Sequence, residues 1–172
     1  FMVTLVTIVA IILGMGLTTT SSYMVLSIVA APAMIMMKVD PVIAHLVCFY
    51  TATISNITPP VCIAAFAAAA IAEADPMKTG LNALKYGLFL VVIPFTFVYF
   101  PEILLYGTAF KTVYLVVSYM LAIPLFAIAS IGYLYGNINW LERLWVLAAS
   151  LLLFTPGGVT DAIGIGLAIA FF

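Results

Sequence analysis

Long hydrophobic runs alternate with short polar strings along the chain, and the polar strings contain nearly all of the charged residues. Residues 81–100 and 112–135 are predominantly apolar and long enough to cross a bilayer, which takes about 20 residues for about 30 Å of hydrocarbon. Lipid offers no hydrogen-bond partner to the open edge of a sheet, and no segment shows the alternating period of a barrel strand. The pattern therefore predicts membrane-spanning helices.

Two earlier segments do not fit an ordinary span. Residues 1–13 and 23–37 are apolar but are separated by the string GMGLTTTSS, which is typical of a discontinuous helix. Residues 42–54 and 61–72 are each too short to cross and flank the string SNITPP at residues 55–60. This second pattern predicts a re-entrant helical hairpin, whose tip is tolerated at membrane depth only where it is buried in protein or lines a wet cavity.

Composition excludes most other classes of protein. Hydrophobic residues make up 67% of the chain and charged residues 6%, whereas a soluble domain is about 25% charged. So few charges can neither cover a water-facing surface nor neutralise phosphates, which excludes a soluble domain, a disordered segment and a nucleic-acid partner. Cys48 and Cys62 lie in apolar runs and provide neither a disulfide framework nor metal-ligand spacing.

The fold class that follows is an all-α polytopic membrane protein in a lipid bilayer. We predict a transport repeat in residues 1–100, made of the broken helix, the hairpin and the spanning helix. Additional transmembrane helices are expected in residues 101–172, where apolar runs also cover 144–154 and 162–172.

The two polar breaks carry the candidate binding residues. Freed backbone carbonyls and hydroxyl oxygens suit a small hard cation, and helix N-termini attract an anionic substrate. Neither break contains Asp or Glu, which favours Na⁺ over a relay of protonated carboxylates, with Thr19, Ser55 and Thr58 as its ligands. No organic cofactor is expected. The predicted substrate- and ion-binding residues are Gly14, Gly16, Thr18, Thr19, Thr20, Ser55, Asn56, Thr58, Pro59 and Pro60.

Other interpretations stay open beside this one. The same oxygens can line the pore of an ion channel, and a purely structural subunit can use Ser, Thr and Gly for helix packing. An intramembrane enzyme needs a catalytic constellation such as paired aspartates, which the sequence does not show, so we predict no enzyme. His45 is interpreted as a hydrogen-bonded interior residue, and Asp161 as a loop or helix-cap carboxylate, with an intramembrane acid as the alternative.

The strings at these breaks also resemble a known family. GMGLTTTSSYMVLSIVAAPAM, DPVIAHLVCFY, SNITPPVCIAAFAAAAIAEADPMKTG and PFTFVYFPEILL follow one another as in the C-terminal part of the large permease component of tripartite ATP-independent periplasmic (TRAP) transporters, of the fused-permease type. The resemblance covers residues 14–105 and continues weakly through ERLWVLAASLLLFTPGGVTDAIG. Thr18 stands where the family usually has proline, and Asn56 where it has a small residue.

This resemblance implies a Na⁺-coupled, elevator-type importer of small organic anions in the inner membrane. Its implied partners are a periplasmic substrate-binding protein and a small membrane subunit or its fused equivalent. It places residues 14–22 at the broken helix and residues 55–60 at the tip of an outward-side hairpin within one of two inverted repeats. Both ends of the sequence fall inside apolar runs, so we expect a piece of a longer permease.

Two spatial expectations follow. A shared transport site requires the two polar breaks to approach each other. For orientation, Lys38, Lys78, Lys85 and Arg143 fall on one side against Lys111, so the positive-inside rule places the hairpin's mouth in the cytoplasm. The family resemblance places it outside, and we follow the resemblance.

Overall fold

The chain is all-helical in the computed structural model, which describes residues 2–171. These residues form α-helices and short 3₁₀ segments without a β-strand among them. Phe1 and Phe172, which the first and last predicted segments include, lie outside the described residues. The chain divides into two compact units, with the boundary between Phe100 and Pro101. The all-α prediction is confirmed.

The first unit is organised around its third helix. It packs against the first, second and sixth α-helices of the unit, while the fourth packs against the fifth. Its buried side chains include Val47, Cys48 and Ala52, all small or of medium size, which lets neighbouring helices approach closely. The described helices of this unit are α1 (Met2–Gly14), α2 (Thr19–Met36), α3 (Pro41–Ser55), α4 (Ile63–Ile71), α5 (Pro76–Gly87) and α6 (Ile93–Tyr99), with a 3₁₀ helix at Leu88–Val91 between the last two.

The predicted break between α1 and α2 is present but is shorter than the polar string. Only residues 15–18 are outside the helices, and the hydroxyl residues from Thr19 to Ser22 already form the first turn of α2. Gly16 adopts a φ of +86°, which reverses the chain direction at little cost for glycine. Thr18 is the N-cap residue, and its side chain accepts a hydrogen bond from the Ser21 amide. A hydroxyl cap starts a helix immediately, which explains the shorter break.

The break between α3 and α4 is also present. Helix α3 ends at Ser55 and α4 begins at Ile63, so no continuous helix passes through Thr58. Pro59 and Pro60 lie in a turn before α4, which is closed by a hydrogen bond from the Cys62 amide to the Thr58 carbonyl (3.3 Å). The lengths of the arms fit the predicted hairpin, while its re-entrant path stays a prediction.

The third span begins earlier than predicted. The sequence indicated residues 81–100, whereas the continuous apolar helical stretch is Pro76–Tyr99. The Asp75 side chain accepts a hydrogen bond from the Lys78 amide, and Pro76 occupies the first turn. Asp followed by Pro is a strong helix start, because the cap satisfies a free amide and proline has none to satisfy.

The second unit is a set of three helices packed in chain order. Helix α8 (Trp140–Phe154) packs against both α7 (Ala109–Ile131) and α9 (Gly158–Phe171). The Ser150 hydroxyl donates to the Ala122 carbonyl of α7 (2.9 Å), and Trp145 Nε1 donates to a carbonyl of α9. Hydrogen bonds between helices of this kind add to packing where lipid provides no hydrophobic drive.

These helices also begin earlier than the apolar runs 112–135, 144–154 and 162–172 predicted. A capping box formed by Asn139 and Glu142 starts α8 inside the polar string, and α7 ends at Ile131, followed by the C-cap residue Gly132 with a φ of +76°. Asp161 is not a loop or cap residue, which corrects the leading interpretation. It lies in the first turn of α9 and is buried, because hydroxyl groups of α7 bind it there.

Length and apolar composition identify three candidate membrane spans among the described residues. They are Thr19–Met36, Pro76–Tyr99 and Ala109–Ile131. Shorter apolar helices are Val3–Gly14, Pro41–Ser55 and Gly158–Phe171. The multi-pass membrane class is therefore supported by the fold, and α2, predicted as part of a broken helix, is itself long enough to cross.

The contact between α8 and α9 can be tested at two glycines of α9. A Cβ at Gly164 would lie 2.9 Å from Leu153 Cγ and 3.1 Å from the Ala149 carbonyl oxygen, whereas one at Gly166 would meet nothing within 4 Å. Alanine raises helix propensity equally at both positions. We expect Gly164→Ala to be less stable than Gly166→Ala by about 1–3 kcal/mol, the usual range for overpacking.

The measurement is denaturant unfolding of the two purified variants in lipid bicelles, each compared with the parent chain. Gly166→Ala is the matched control, since it changes the same helix by the same atom. Equal stability of the two variants would contradict the close approach of α9 to α8.

Candidate functional site

The two polar breaks of the first unit meet in space. Asn56, directly after the end of α3, donates from Nδ2 to Thr19 Oγ1 at the start of α2 (2.9 Å), and also to the Ala52 carbonyl (3.1 Å). The predicted approach of the two breaks is therefore confirmed. Asn56, whose amide departs from the small residue usual in the resembled family, supplies the side chain that joins them.

The polar side chains where the breaks meet form a cluster of Thr19, Ser22, Ser55 and Asn56, and Gly14 packs tightly against it. A Cβ placed there would lie 2.5 Å from Ser55 Oγ and 2.6 Å from Ser22 Oγ, closer than any side chain can approach. The end of α1 is thus flanked by one hydroxyl from α2 and one from α3. The absence of a side chain at Gly14 allows both hydroxyls to lie against the backbone of α1.

The hydroxyl groups in the cluster differ in their hydrogen bonding. Ser55 Oγ donates to the Ala52 carbonyl (2.7 Å), so its lone pairs face away from that bond. Ser22 Oγ is buried, with only 1% of the residue exposed, and has no hydrogen-bond partner in the described part of the chain. A buried hydroxyl without a partner costs about 1–3 kcal/mol. Such a group is expected where a ligand or ion completes the bonding.

The other predicted site residues lie around this cluster or point away from it. Thr58 Oγ1 donates to the Ile54 carbonyl (2.8 Å), so its hydroxyl is turned back onto the end of α3. Thr18 caps α2 and is exposed, which gives it a structural role in this conformation. Of the other two predicted Na⁺ ligands, Thr19 accepts a hydrogen bond from Asn56, and Ser55 lies against Gly14. Of the remaining residues, Gly16, Thr20 and Pro60 are exposed and Pro59 is half-buried.

Sequence reasoning missed Ser22 as a candidate ligand. It belongs to the interrupting string, but the sequence does not distinguish it from the other hydroxyl residues there, because a helix that is apolar on all sides does not reveal which face is buried. Only the structure shows that Ser22 shares a buried face with Leu26 and Ala30. Thr7 was missed in the same way, and its buried Oγ1 also has no hydrogen-bond partner among the described residues.

The electrostatic character of the cluster is neutral. Neither break contains a charged residue, and residues 2–171 include no group of three His, Cys, Asp or Glu side chains able to hold a metal. Further from the break along α3, His45 forms a hydrogen bond between Nδ1 and the Tyr23 hydroxyl (3.0 Å). A cation held here would be bound by hydroxyl and carbonyl oxygens alone.

Comparison with known proteins identifies the family. Residues 1–112 match the sequence model of the family described as "Tripartite ATP-independent periplasmic transporter, DctM component", which is well over half of the chain. The chain belongs to this family. The match includes both polar breaks of this TRAP permease component, and the family is one of transporters, not of enzymes. No curated protein and no solved structure gave a significant match.

The hydrogen bond between Asn56 and Thr19 can be measured with a double-mutant cycle. We expect Asn56→Ala and Thr19→Val to be non-additive by about 0.6 kcal/mol, the average for hydrogen bonds between membrane helices. The coupling arises because either substitution alone already removes the bond. The free energy of unfolding in bicelles gives the four values.

A second cycle with Thr20→Val serves as the matched control. Thr20 is the neighbouring threonine, but it is exposed. Its substitution should be additive with Asn56→Ala to within about 0.3–0.5 kcal/mol. Equal coupling energies in the two cycles would show that the bond does not join the breaks.

Proposed function

We propose that this chain is part of the permease of a Na⁺-coupled secondary transporter that imports small organic anions, chiefly carboxylates, across the inner membrane. Membership of the TRAP transporter family supports the transport of a solute. The proposal of a coupling ion rests on the buried Ser22 hydroxyl. It has no hydrogen-bond partner among the described residues and lies beside the Ser55 hydroxyl at Gly14.

The chemistry of the cluster suits Na⁺. Hard cations prefer oxygen ligands, as the better-known Ca²⁺ and Mg²⁺ sites show. Ser22 and Ser55 supply buried hydroxyl oxygens, and Thr19 supplies a third at the start of α2. In this proposal all three belong to the cation site, and Thr58 joins them only if its hydroxyl leaves the Ile54 carbonyl. Na⁺ is here a transported ion and not a permanent part of the protein.

The start of α2 suits the anionic solute. Helix N-termini carry free amides and the positive end of the helix dipole, which favour a carboxylate. Exposed hydroxyls of Thr18, Thr20 and Ser21 surround this start and add further donors. We propose that the solute binds there, next to the cation cluster, so that the cation's charge favours binding of the anion.

The proposed partners, membrane orientation and mechanism are those that the family resemblance implies. A periplasmic substrate-binding protein delivers the solute, and a small membrane subunit or its fused equivalent completes the permease. The segment from α3 to α4 is proposed to be a re-entrant hairpin with its mouth on the outer side. Residues 2–100 would belong to the transport domain that carries solute and ion across in an elevator-type movement.

The test is uptake of radiolabelled organic acids by the complete permease in proteoliposomes. We expect uptake only with both a Na⁺ gradient and the binding protein. Uptake that needs neither, and that simply follows the membrane potential, would indicate an ion channel instead.

The cation site itself predicts the behaviour of two alanine variants. Ser22→Ala and Ser55→Ala should each raise the Na⁺ concentration for half-maximal uptake by about tenfold, which corresponds to about 1.4 kcal/mol of lost cation binding. The reason is the loss of one oxygen ligand in each variant. Insertion should be unchanged, because a small apolar residue is well tolerated in lipid.

Ser27→Ala is the matched control. Ser27 lies further along α2, and its hydroxyl donates to the Met24 carbonyl. Its removal should leave the Na⁺ dependence unchanged. If Ser22→Ala and Ser55→Ala match this control at equal protein levels in the membrane, the cluster does not bind the coupling ion.

A further inference from the structure

The second unit contains a buried carboxylate that the proposed function does not use. Asp161 is 5% exposed and lies in the first turn of α9. The Tyr114 hydroxyl donates to its Oδ2, and Ser118 Oγ donates to the same oxygen (3.3 Å). Asp161 Oδ1 has no hydrogen-bond partner among the described residues. All three residues lie beyond the part of the chain that matches the family.

The donors are placed by helix geometry. Tyr114 and Ser118 are four residues apart on α7, so both side chains project from one face of that helix. Helix α7 is long and apolar enough to span the membrane, and α9 is a shorter apolar helix. The carboxylate is therefore held inside a bundle of apolar helices by two hydroxyl groups.

Charged and titratable groups on the neighbouring elements do not supply a counter-ion to Asp161. Lys111, at the start of α7, is 64% exposed and pairs with Glu102 (3.7 Å). Glu142 and Arg143 lie in the first turn of α8, at the end opposite Phe154. The ring of Tyr119 on α7 packs against Phe154, and α9 has no other titratable residue.

A buried carboxylate without a cation is costly in an apolar environment. Two hydroxyl donors offset part of the cost of the charged form. Protonation of the carboxyl removes the charge altogether, and Oδ1 is the atom left free to carry the proton.

We propose that Asp161, Tyr114 and Ser118 form an intramembrane proton-binding site in the second unit. In the charged state, the two hydroxyls stabilise the carboxylate through Oδ2. In the neutral state, Oδ1 carries the proton, which is exchanged with water and requires no other reactant. Asp161 is the group that binds the proton, and Tyr114 and Ser118 position and tune it. This site is independent of the proposed cation cluster in the first unit.

Infrared spectroscopy tests the proposal directly. The complete permease, labelled with ¹³C at the side-chain carboxyl of aspartate and reconstituted in lipid, is titrated with pH. The labelled carboxylic-acid C=O band should be present at acid pH and disappear as the pH rises. Asp40 and Asp75 carry the same label, so the Asp161 band is obtained as the difference between the parent and Asp161→Asn, which keeps the shape of the side chain. A band assigned to Asp161 that does not change across the titration would overturn the proposal, as would its absence at every pH.

Variants of the two donors test the composition of the site. Tyr114→Phe removes a hydrogen bond that favours the charged form, so the labelled acid band of Asp161 should persist to a higher pH than in the parent chain. Ser118→Ala removes the second donor to the same oxygen and should move the band in the same direction. Glu142→Gln, at an exposed capping-box residue whose role glutamine preserves, is the control and should leave the Asp161 band unchanged. An Asp161 titration unaltered in Tyr114→Phe would exclude that hydroxyl from the site.

Discussion

Backbone groups without hydrogen-bond partners cannot be left in an apolar environment, and this constraint governs where the helices of the first unit end. Each break frees amides and carbonyls, and such groups need a hydrogen-bond partner wherever water does not reach them. Thr18 satisfies an amide at the start of α2, and the Asn56 carbonyl accepts from the Ala64 amide across the turn between α3 and α4. The Asn56 side chain then fastens this turn to the other break. Polar residues at the breaks therefore have a structural task before any role in transport.

The sequence predicted the fold class and the two breaks because these depend on local composition and length. Their proximity was expected only because a shared transport site requires it. Helix starts were predicted too late wherever a polar cap lay upstream of the apolar run, as at Asp75 and Asn139. Capping residues belong to the helix in hydrogen bonding but resemble a loop in hydropathy. Hydropathy alone therefore places these residues outside the helices.

The site was harder to predict because apolar helices conceal their orientation. In a soluble helix, polar residues mark the exposed face, whereas here both faces are apolar and burial has no signature in the sequence. Ser22 and its exposed neighbour Ser21 are identical in type, yet only one is buried beside Gly14. Asp161 was misplaced for a related reason, since its partners Tyr114 and Ser118 are more than forty residues away along the chain.

Arg143 has a consequence for how the second unit is assembled. Its guanidinium donates from Nε to the Ala129 carbonyl (3.0 Å) and from Nη2 to the Ser130 carbonyl (2.9 Å), near the end of α7. The hydrogen bonds that complete α7 are thus supplied by the first turn of the following helix. During synthesis, α7 lacks these bonds until Arg143 has been added and α8 begins to fold. The smallest piece of this unit in which the end of α7 has these bonds is therefore α7 together with the start of α8.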